Sequence, residues 1–288
     1  MTSLATPASQ HDDSARRPIV GFVLSGGGSL GAVQAGMVLA LADEGIYPDV
    51  LAGASVGALN AAFLAGRPGR AGVDALAEIW LRLKRRDVMP LRPGQIITGL
   101  SARRPTLLHS DRLALFIRTR LPYQRLEDAP LPLAVTATDA HTGQPVQLAK
   151  GDAVTALLAS TAIPGVFPSV VVDGKTLVDG SIVDDQPIDA AVGLGADVVY
   201  VLPSPYPDPR ELPTDPYSMA LRATQHAIVR RNEVELALAP PGVRVHVVPT
   251  ITTGISTFDF THAGALIDES RALAARWLAD LPVSARHP

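Results

Sequence analysis

Residues 51–60 read Leu-Ala-Gly-Ala-Ser-Val-Gly-Ala-Leu-Asn, and this stretch decides how the rest of the chain is interpreted. The apolar residues 50–52 predict a short strand that is buried on both faces, and a helix is predicted from Val56 onward. A strand that turns directly into a helix around Gly-x-Ser-x-Gly is typical of a nucleophile elbow. In such an elbow a strained turn lifts the serine hydroxyl clear of the sheet. We therefore predict that Ser55 is a nucleophile.

Two glycines flank that serine. Gly53 and Gly57 carry no Cβ, which leaves room for a tight turn between the strand and the helix. The predicted helix also directs its N-terminal amides toward the site, where they favour negative charge. The same pattern has a purely structural interpretation, in which Ser55 only caps the helix at a tight turn.

A second Gly-rich loop follows the predicted first strand, residues 19–24, and precedes another predicted helix. The spacing Gly26-x-Gly28-x-x-Gly31 matches the dinucleotide-binding fingerprint. That fingerprint requires an acidic residue at the end of the second strand, whereas the nearby Asp49 precedes the strand. Nucleotide binding therefore stays an alternative that the sequence disfavours.

The same loop suits another chemistry. Adjacent glycines at residues 26–28 allow backbone amides to converge on a developing oxyanion. A further Gly-x-Ser-x-Gly is centred on Ser29, which makes this serine a rival nucleophile. Two neighbouring strand–loop–helix units would place the loop and Ser55 at the same end of a parallel sheet, where α/β folds bind ligands.

A serine hydroxyl needs a proton acceptor before it can attack an ester. On elbow folds the usual order is serine, then an acid, then histidine. The histidines that follow Ser55 are His109, His141, His226, His246, His262 and His287. His262 precedes a predicted helix and is the best candidate for a triad. A carboxylate base remains the alternative, since composition does not decide between them.

Composition excludes several classes of protein. The chain has 288 residues, 47% hydrophobic and 18% charged, and is globular rather than disordered. Its net charge of −3 gives no reason to expect nucleic acid as a partner. Cysteine is absent, which excludes disulfides, thiol catalysis and cysteine-ligated metal. No stretch approaches the roughly 18 apolar residues that span a bilayer, so we expect a cytoplasmic protein that contacts membranes only at its surface, without fixing its oligomeric state.

The chain is predicted to form one domain. Residues 1–17 are small and polar and predict a disordered tail, and residues 18–288 are assigned to a single α/β domain. The Pro-rich residues 203–216 suggest a boundary, but only a helix, a strand and a helix follow them. Residues 82–104 mix arginine with leucine, isoleucine and methionine. They are either a solvated helix end or an amphipathic lid that faces lipid.

A hairpin is predicted in the second half of the chain. Asp173-Gly174 separates two short β-branched runs, which is a strong signal for a two-residue turn. The second run is followed directly by Asp179 and Gly180. Because Asp-Gly pairs mark turns in many proteins, spacing alone does not select Asp179 as a functional residue.

Three ordered segments together resemble the patatin-like phospholipase family: the loop of residues 26–31, the elbow of residues 53–57, and Asp179-Gly180. Residues 159–168 are also similar to bacterial members, and the resemblance covers roughly residues 19–202. It implies a three-layer α/β/α fold with a mostly parallel central sheet. It further implies a dyad of Ser55 as nucleophile and Asp179 as base, without a catalytic histidine. Family members hydrolyse acyl esters of phospholipids, lysophospholipids or neutral lipids and need no metal or other cofactor.

The resemblance also implies roles for the glycines. Gly26, Gly27 and Gly28 would form the oxyanion hole, and the elbow and motif glycines would be Gly31, Gly53, Gly57 and Gly180. Leu30 stands where the family often has arginine or lysine, and Ser181 where glycine or alanine is usual. Two alternatives stay open: a serine esterase of soluble esters with a His262 triad, and a noncatalytic nucleotide-binding or regulatory protein.

Overall fold

The computed structural model describes residues 16–90, 106, 108–214 and 216–282. Its helices are α1 (Ala32–Asp43), α2 (Val56–Ala65), α3 (Arg70–Arg82), α4 (Arg85–Val88), α5 (Asp111–Arg118), α6 (Ala153–Ser160), α7 (Ile188–Gly193), α8 (Pro216–Ala237) and α9 (Ala263–Asp280). Its strands are β1 (Val20–Leu24), β2 (Val50–Ala54), β3 (Leu133–Asp139), β4 (Pro145–Leu148), β5 (Val170–Val172), β6 (Lys175–Asp179), β7 (Val198–Leu202), β8 (Tyr206–Pro207), β9 (Arg244–Val247) and β10 (Thr252–Thr253).

A mixed sheet forms the centre of the described chain, in the order β5-β6-β3-β2-β1-β7-β9 with β4 also paired to β3. Strands β1, β2, β3, β7 and β9 run parallel, while β4 and β6 run antiparallel to β3. Ala54 lies beside Thr136, and the next residue of β3, Ala137, lies beside Asp179. This register brings the end of β6 level with the end of β2.

Helices cover both faces of the sheet. Alternate residues of the central strands point to opposite sides, so both faces are apolar. Phe22 and Leu51 pack in the larger cluster, which includes α1, α2, α3 and α9. Val23 and Ala52 pack in a smaller cluster that includes α7. The predicted three-layer α/β/α architecture with a mostly parallel sheet is confirmed.

Two sequence predictions concern the edges of this domain. Residues 1–15 of the predicted tail lie outside the described residues, whereas Arg16 pairs with Asp197 at 2.9 Å and Arg17 with Asp49 at 2.6 Å. These contacts begin two residues before the predicted domain boundary. The Pro-rich connector of residues 203–216 contains β8, which pairs with β10 in the later part of the chain.

The predicted lid segment is described only up to residue 90. Within that part, Leu83, Val88 and Met89 are buried, so its apolar side chains face the protein interior. Residues 91–104 of the same prediction lie outside the described residues. No helix within the described ranges is both long and apolar enough to cross a bilayer.

Candidate active site

Ser55 occupies a strained turn between β2 and α2. Its φ of 54° and ψ of −126° are unusual for a residue with a Cβ, and such strain persists where the surrounding structure enforces it. A Cβ on Gly57 would collide with the carbonyl oxygen of Leu24, and one on Gly53 would collide with Gly57. The helix therefore approaches the sheet too closely for any residue larger than glycine at these two positions.

The two remaining motif glycines also mark close approaches. A Cβ on Gly31 would contact Val56 and the indole of Trp80, and one on Gly180 would collide with the carbonyl oxygen of Thr136. Both glycines thus allow the segments around Ser55 to pack directly against one another.

The Ser55 hydroxyl donates a hydrogen bond to Asp179 Oδ2 over 2.6 Å. Asp179 is 4% exposed, and this burial raises the pKa of its carboxyl to about 7, while hydrogen bonds from Ser55 and the Ser181 amide oppose the shift. A free aspartate has a pKa near 4 and is a weak base. A carboxyl that titrates near neutrality is better matched to proton transfer at neutral pH.

The backbone holds Asp179 in place at the end of β6. Its amide donates to the Ala162 carbonyl at 3.0 Å, and its own carbonyl accepts from Thr138 Oγ1 at 2.7 Å. Its second carboxylate oxygen accepts from the Ser181 amide at 2.9 Å. Asp179 is therefore held through its backbone and through one carboxylate oxygen, in the position from which the other carboxylate oxygen contacts Ser55.

Ser160, the last residue of α6, links the turn at Ser55 to β3, the strand that lies between β2 and β6. Its hydroxyl accepts from the Ser55 amide at 2.9 Å and donates to the Thr136 carbonyl at 2.6 Å. No role in the site was predicted for Ser160. The only available signal was its position within residues 159–168, which resemble the family.

The Gly-rich loop lies beside Ser55 but does not offer all three predicted amides. The Gly26 amide donates to Asp185 Oδ1 at 2.9 Å, so it is already engaged. Within the described part of the chain, the Gly27 and Gly28 amides donate to no protein acceptor. Gly28, with a φ of 60°, lines the same cavities as Ser55. Of the three amides predicted for an oxyanion hole, the Gly26 amide has an acceptor already and the other two have none in the described part of the chain.

Ser29, the rival nucleophile, occupies a different environment. Its side chain is buried, and its hydroxyl donates to the carbonyl of Ser256 at 3.1 Å. A carbonyl oxygen is not a proton acceptor for catalysis, whereas Ser55 contacts a carboxylate. The dinucleotide interpretation finds no support either, because β2 ends at Ala54 before Ser55 rather than at an acidic residue.

The histidines that the structure describes make their contacts elsewhere. His262 precedes α9, is half-exposed and approaches Asp259 at 3.4 Å. His246 stacks on Tyr200, and the side chains of His109, His141 and His226 are exposed. Across the ranges that the structure describes, no histidine hydrogen-bonds to Ser55 or Asp179.

Two cavities meet at Ser55. The first has a volume of about 70 Å³ and an almost wholly apolar wall that includes Phe63, Trp80, Met89 and Phe116. The second has a volume of about 460 Å³ and is lined by the Gly-rich loop, Asp179 and one face of α8. Ser55 thus lies between two separate cavities.

A sequence profile described as "Patatin-like phospholipase" matches residues 22–192. The chain belongs to the patatin-like phospholipase family. The resemblance inferred from the three motifs is confirmed by this match, which includes the Gly-rich loop, the elbow and Asp179.

The curated relatives that the chain matches are longer proteins. An uncharacterized NTE family protein of Mycobacterium tuberculosis is 29% identical over 196 residues, which cover 68% of this chain and 51% of that protein. A lysophospholipase of Aspergillus terreus is 28% identical over 197 residues, which cover 64% of this chain and 12% of that protein. The matched region spans about half the length of the mycobacterial relative and a small part of the fungal one.

Solved structures also resemble the chain at low sequence identity. VipD from Legionella pneumophila is 16% identical with a TM-score of 0.44, covering 91% of this chain and 68% of that one. The type III effector ExoU is 18% identical with a TM-score of 0.41, covering 90% of this chain and 52% of that one.

Proposed function

We propose that the chain is a lipid acyl hydrolase in which Ser55 is the nucleophile and Asp179 is its base. The observation that carries this proposal is the 2.6 Å hydrogen bond between the Ser55 hydroxyl and the buried Asp179 carboxylate. The strained elbow and the two cavities that meet there support it. Membership of the patatin-like phospholipase family supports lipid esters as the substrate class.

The first half of the reaction forms an acyl-enzyme. Asp179 accepts the hydroxyl proton as Ser55 Oγ attacks the ester carbonyl carbon, and the carbonyl oxygen becomes an oxyanion. The amides of Gly27 and Gly28 donate to that oxyanion, which is usually the largest single contribution to such catalysis. The carbonyl then re-forms as the bond to the alcohol oxygen breaks. The departing alcohol takes the proton from Asp179.

The second half releases the fatty acid. Asp179 accepts a proton from a water molecule, whose oxygen attacks the acyl carbonyl carbon and regenerates the oxyanion. Collapse of this intermediate breaks the bond to Ser55 Oγ, which recovers its proton from Asp179. Each step requires Asp179 to alternate between its ionised and protonated forms, and its pKa of about 7 suits both.

The two cavities suggest how a lipid ester would bind. The narrow apolar cavity suits an acyl chain, since burial of each methylene contributes about 0.8 kcal/mol. The larger cavity, which has both polar and apolar walls, suits the alcohol or head group. A substrate drawn from a membrane would require peripheral contact with its surface. Pairing of β9 with β7, across the Pro-rich connector, supports our proposal that residues 18–288 form one domain.

A fluorophosphonate probe tests this function directly, because it phosphonylates an activated serine. The intact chain should gain one probe mass, and peptide mapping should place that mass on Ser55. Ser55→Ala should lose both labelling and hydrolysis of p-nitrophenyl butyrate and of lysophosphatidylcholine. Ser29→Ala, the matched control, should keep both. Labelling of Ser29, or an unlabelled and inactive wild-type protein, contradicts the proposal.

A further inference from the structure

Asp185 lies between the Gly-rich loop and helix α8, outside the catalytic pair. Its Oδ1 accepts from the Gly26 amide at 2.9 Å, and its Oδ2 accepts from Asn232 Nδ2 at 3.0 Å. The side chain is only 7% exposed, so both bonds form away from solvent. The mechanism proposed above uses none of these three residues.

We propose that Asp185 is a positioning residue that couples helix α8 to the Gly-rich loop and thereby sets the position of the oxyanion donors. This inference rests on the proposed function, since it assigns the Gly27 and Gly28 amides to the oxyanion. A residue that only filled space would not have this role, whereas Asp185 connects the Gly-rich loop to α8 through its two carboxylate oxygens.

The Gly-rich loop is held from several sides, and Asp185 supplies the hydrogen bond at its start. A Cβ on Gly26 would collide with the Ser181 side chain, and one on Gly28 would collide with the Thr257 carbonyl oxygen. Asp185 fixes the amide of Gly26, the residue that precedes the two unpaired amides. Donors to an oxyanion are effective only when they are held in place before the reaction. A shift at Gly26 therefore moves both proposed donors.

Helix α8 depends on such specific bonds because it buries little surface. All of its side chains that the structure describes are half-buried or exposed. Leu221, Gln225, Ile228 and Asn232 recur at helical spacing on the face that lines the larger cavity. At the start of the helix, Arg222 donates to the carbonyls of Asp208 and Glu211. Asn232 is the residue that joins this cavity wall to Asp185.

Kinetics with a soluble short-chain ester test the coupling. Asn232→Leu should lower kcat about tenfold while KM stays within about twofold, because the new side chain still lines the larger cavity but no longer donates to Asp185. His226→Leu is the matched control, since His226 is an exposed residue of the same helix that lines neither cavity. It should leave kcat unchanged.

An exchange of the two side chains tests the direction of the hydrogen bonds. Asn232→Asp alone brings two carboxylates together and should lose about tenfold or more in kcat. Asp185→Asn alone should lose less, because the Asn232 carboxamide can rotate and accept through its oxygen, which has no hydrogen-bond partner in the described part of the chain. In the double variant, the amide oxygen introduced at position 185 still accepts from Gly26, while the amide nitrogen beside it donates to the carboxylate introduced at position 232. We therefore expect kcat to recover to within about threefold of wild type.

Hydrogen–deuterium exchange gives a readout that does not depend on activity. Asn232→Leu should raise deuterium uptake in a peptide covering residues 25–31 as well as in α8, while a peptide covering β3 stays unchanged. His226→Leu should leave the loop peptide unchanged. Unchanged uptake in the loop, or an unchanged kcat in an active enzyme, overturns the coupling. An inactive, unlabelled wild type overturns the proposed function instead, and exchange then still decides whether α8 and the loop are coupled.

Discussion

The Ser55 hydroxyl and the Asp179 carboxylate are joined by a 2.6 Å hydrogen bond although 124 positions separate them in the chain. The sheet register explains this meeting, because Ala54 lies beside Thr136 and Asp179 lies beside Ala137. Ser55 directly follows β2, and Asp179 is the last residue of β6. Both strands pair with β3, which lies between them. Groups held on such rigid elements are positioned more accurately than groups held on loops.

We expect the hydrolysis rate to follow the ionisation of Asp179. Burial raises the pKa of this carboxyl to about 7, and only its ionised form accepts a proton from Ser55. For an uncharged ester, kcat/KM should therefore be low at pH 5, rise through an apparent pKa near 7 and level off above it. The measurement is a pH profile between 5 and 9. A midpoint near pH 4 would indicate an ordinary exposed carboxyl and contradict this assignment.

The identity of the base is tested by substitution. Asp179→Asn should lower kcat by about 10³-fold or more, because an amide of the same shape accepts protons poorly. His262→Gln, His141→Gln and His226→Gln should each stay within about tenfold of wild type, since these side chains make no contact with Ser55 or Asp179. Circular dichroism must first show that each variant is folded. A folded, active Asp179→Asn beside an inactive His262→Gln would establish a triad instead.

The same carboxyl should make stability depend on pH. Its pKa is raised from 3.8 to about 7 in the folded protein, so its contribution to stability is complete below pH 3.8 and is lost as pH rises through 7. Asp179→Asn removes that loss and should exceed wild type in stability by up to about 4 kcal/mol at pH 8. Urea unfolding at pH 4 and pH 8 measures the difference. A difference that does not grow with pH would argue against an ionisable buried carboxyl.

The narrow cavity predicts a preference for acyl-chain length. Met89 is 8% exposed and lines this cavity, so Met89→Ala should enlarge it and raise the ratio of kcat/KM for dodecanoyl over butanoyl esters at least about threefold. The change also removes buried surface and should cost about 2–5 kcal/mol of stability. Leu115→Ala is the control, because Leu115 is 54% exposed on α5 and should leave the ratio unchanged. An unchanged ratio in Met89→Ala would place the acyl chain elsewhere.

Features set by neighbouring residues were predictable from the sequence. The elbow around Ser55 follows from an apolar run, two glycines and a helical pattern that are contiguous in the chain. The β5–β6 hairpin follows equally from Asp173 and Gly174, whose φ angles of 47° and 77° match the two-residue turn that such a pair favours. Local patterns of this kind specify both the type of element and the position of its turn.

Features that join distant segments were not predictable from local patterns, and the pairing of Ser55 with Asp179 was expected only through the family resemblance. The bond between Gly26 and Asp185 connects residues 159 positions apart, and no spacing in the sequence indicates it. For the same reason the sequence suggested three oxyanion donors where the structure leaves two amides unpaired. The role of Ser160 also depends on how α6 packs across β3, which periodicity does not specify.

The backbone at Ser55 has a consequence for the evolution of this chain. A φ of 54° and ψ of −126° burden a residue that has a Cβ by roughly 1–3 kcal/mol, whereas glycine adopts positive φ without that strain. Selection for folding alone would therefore favour glycine at position 55, and selection for turnover opposes it. A descendant that had lost the proposed chemistry would therefore be expected to change first at this residue.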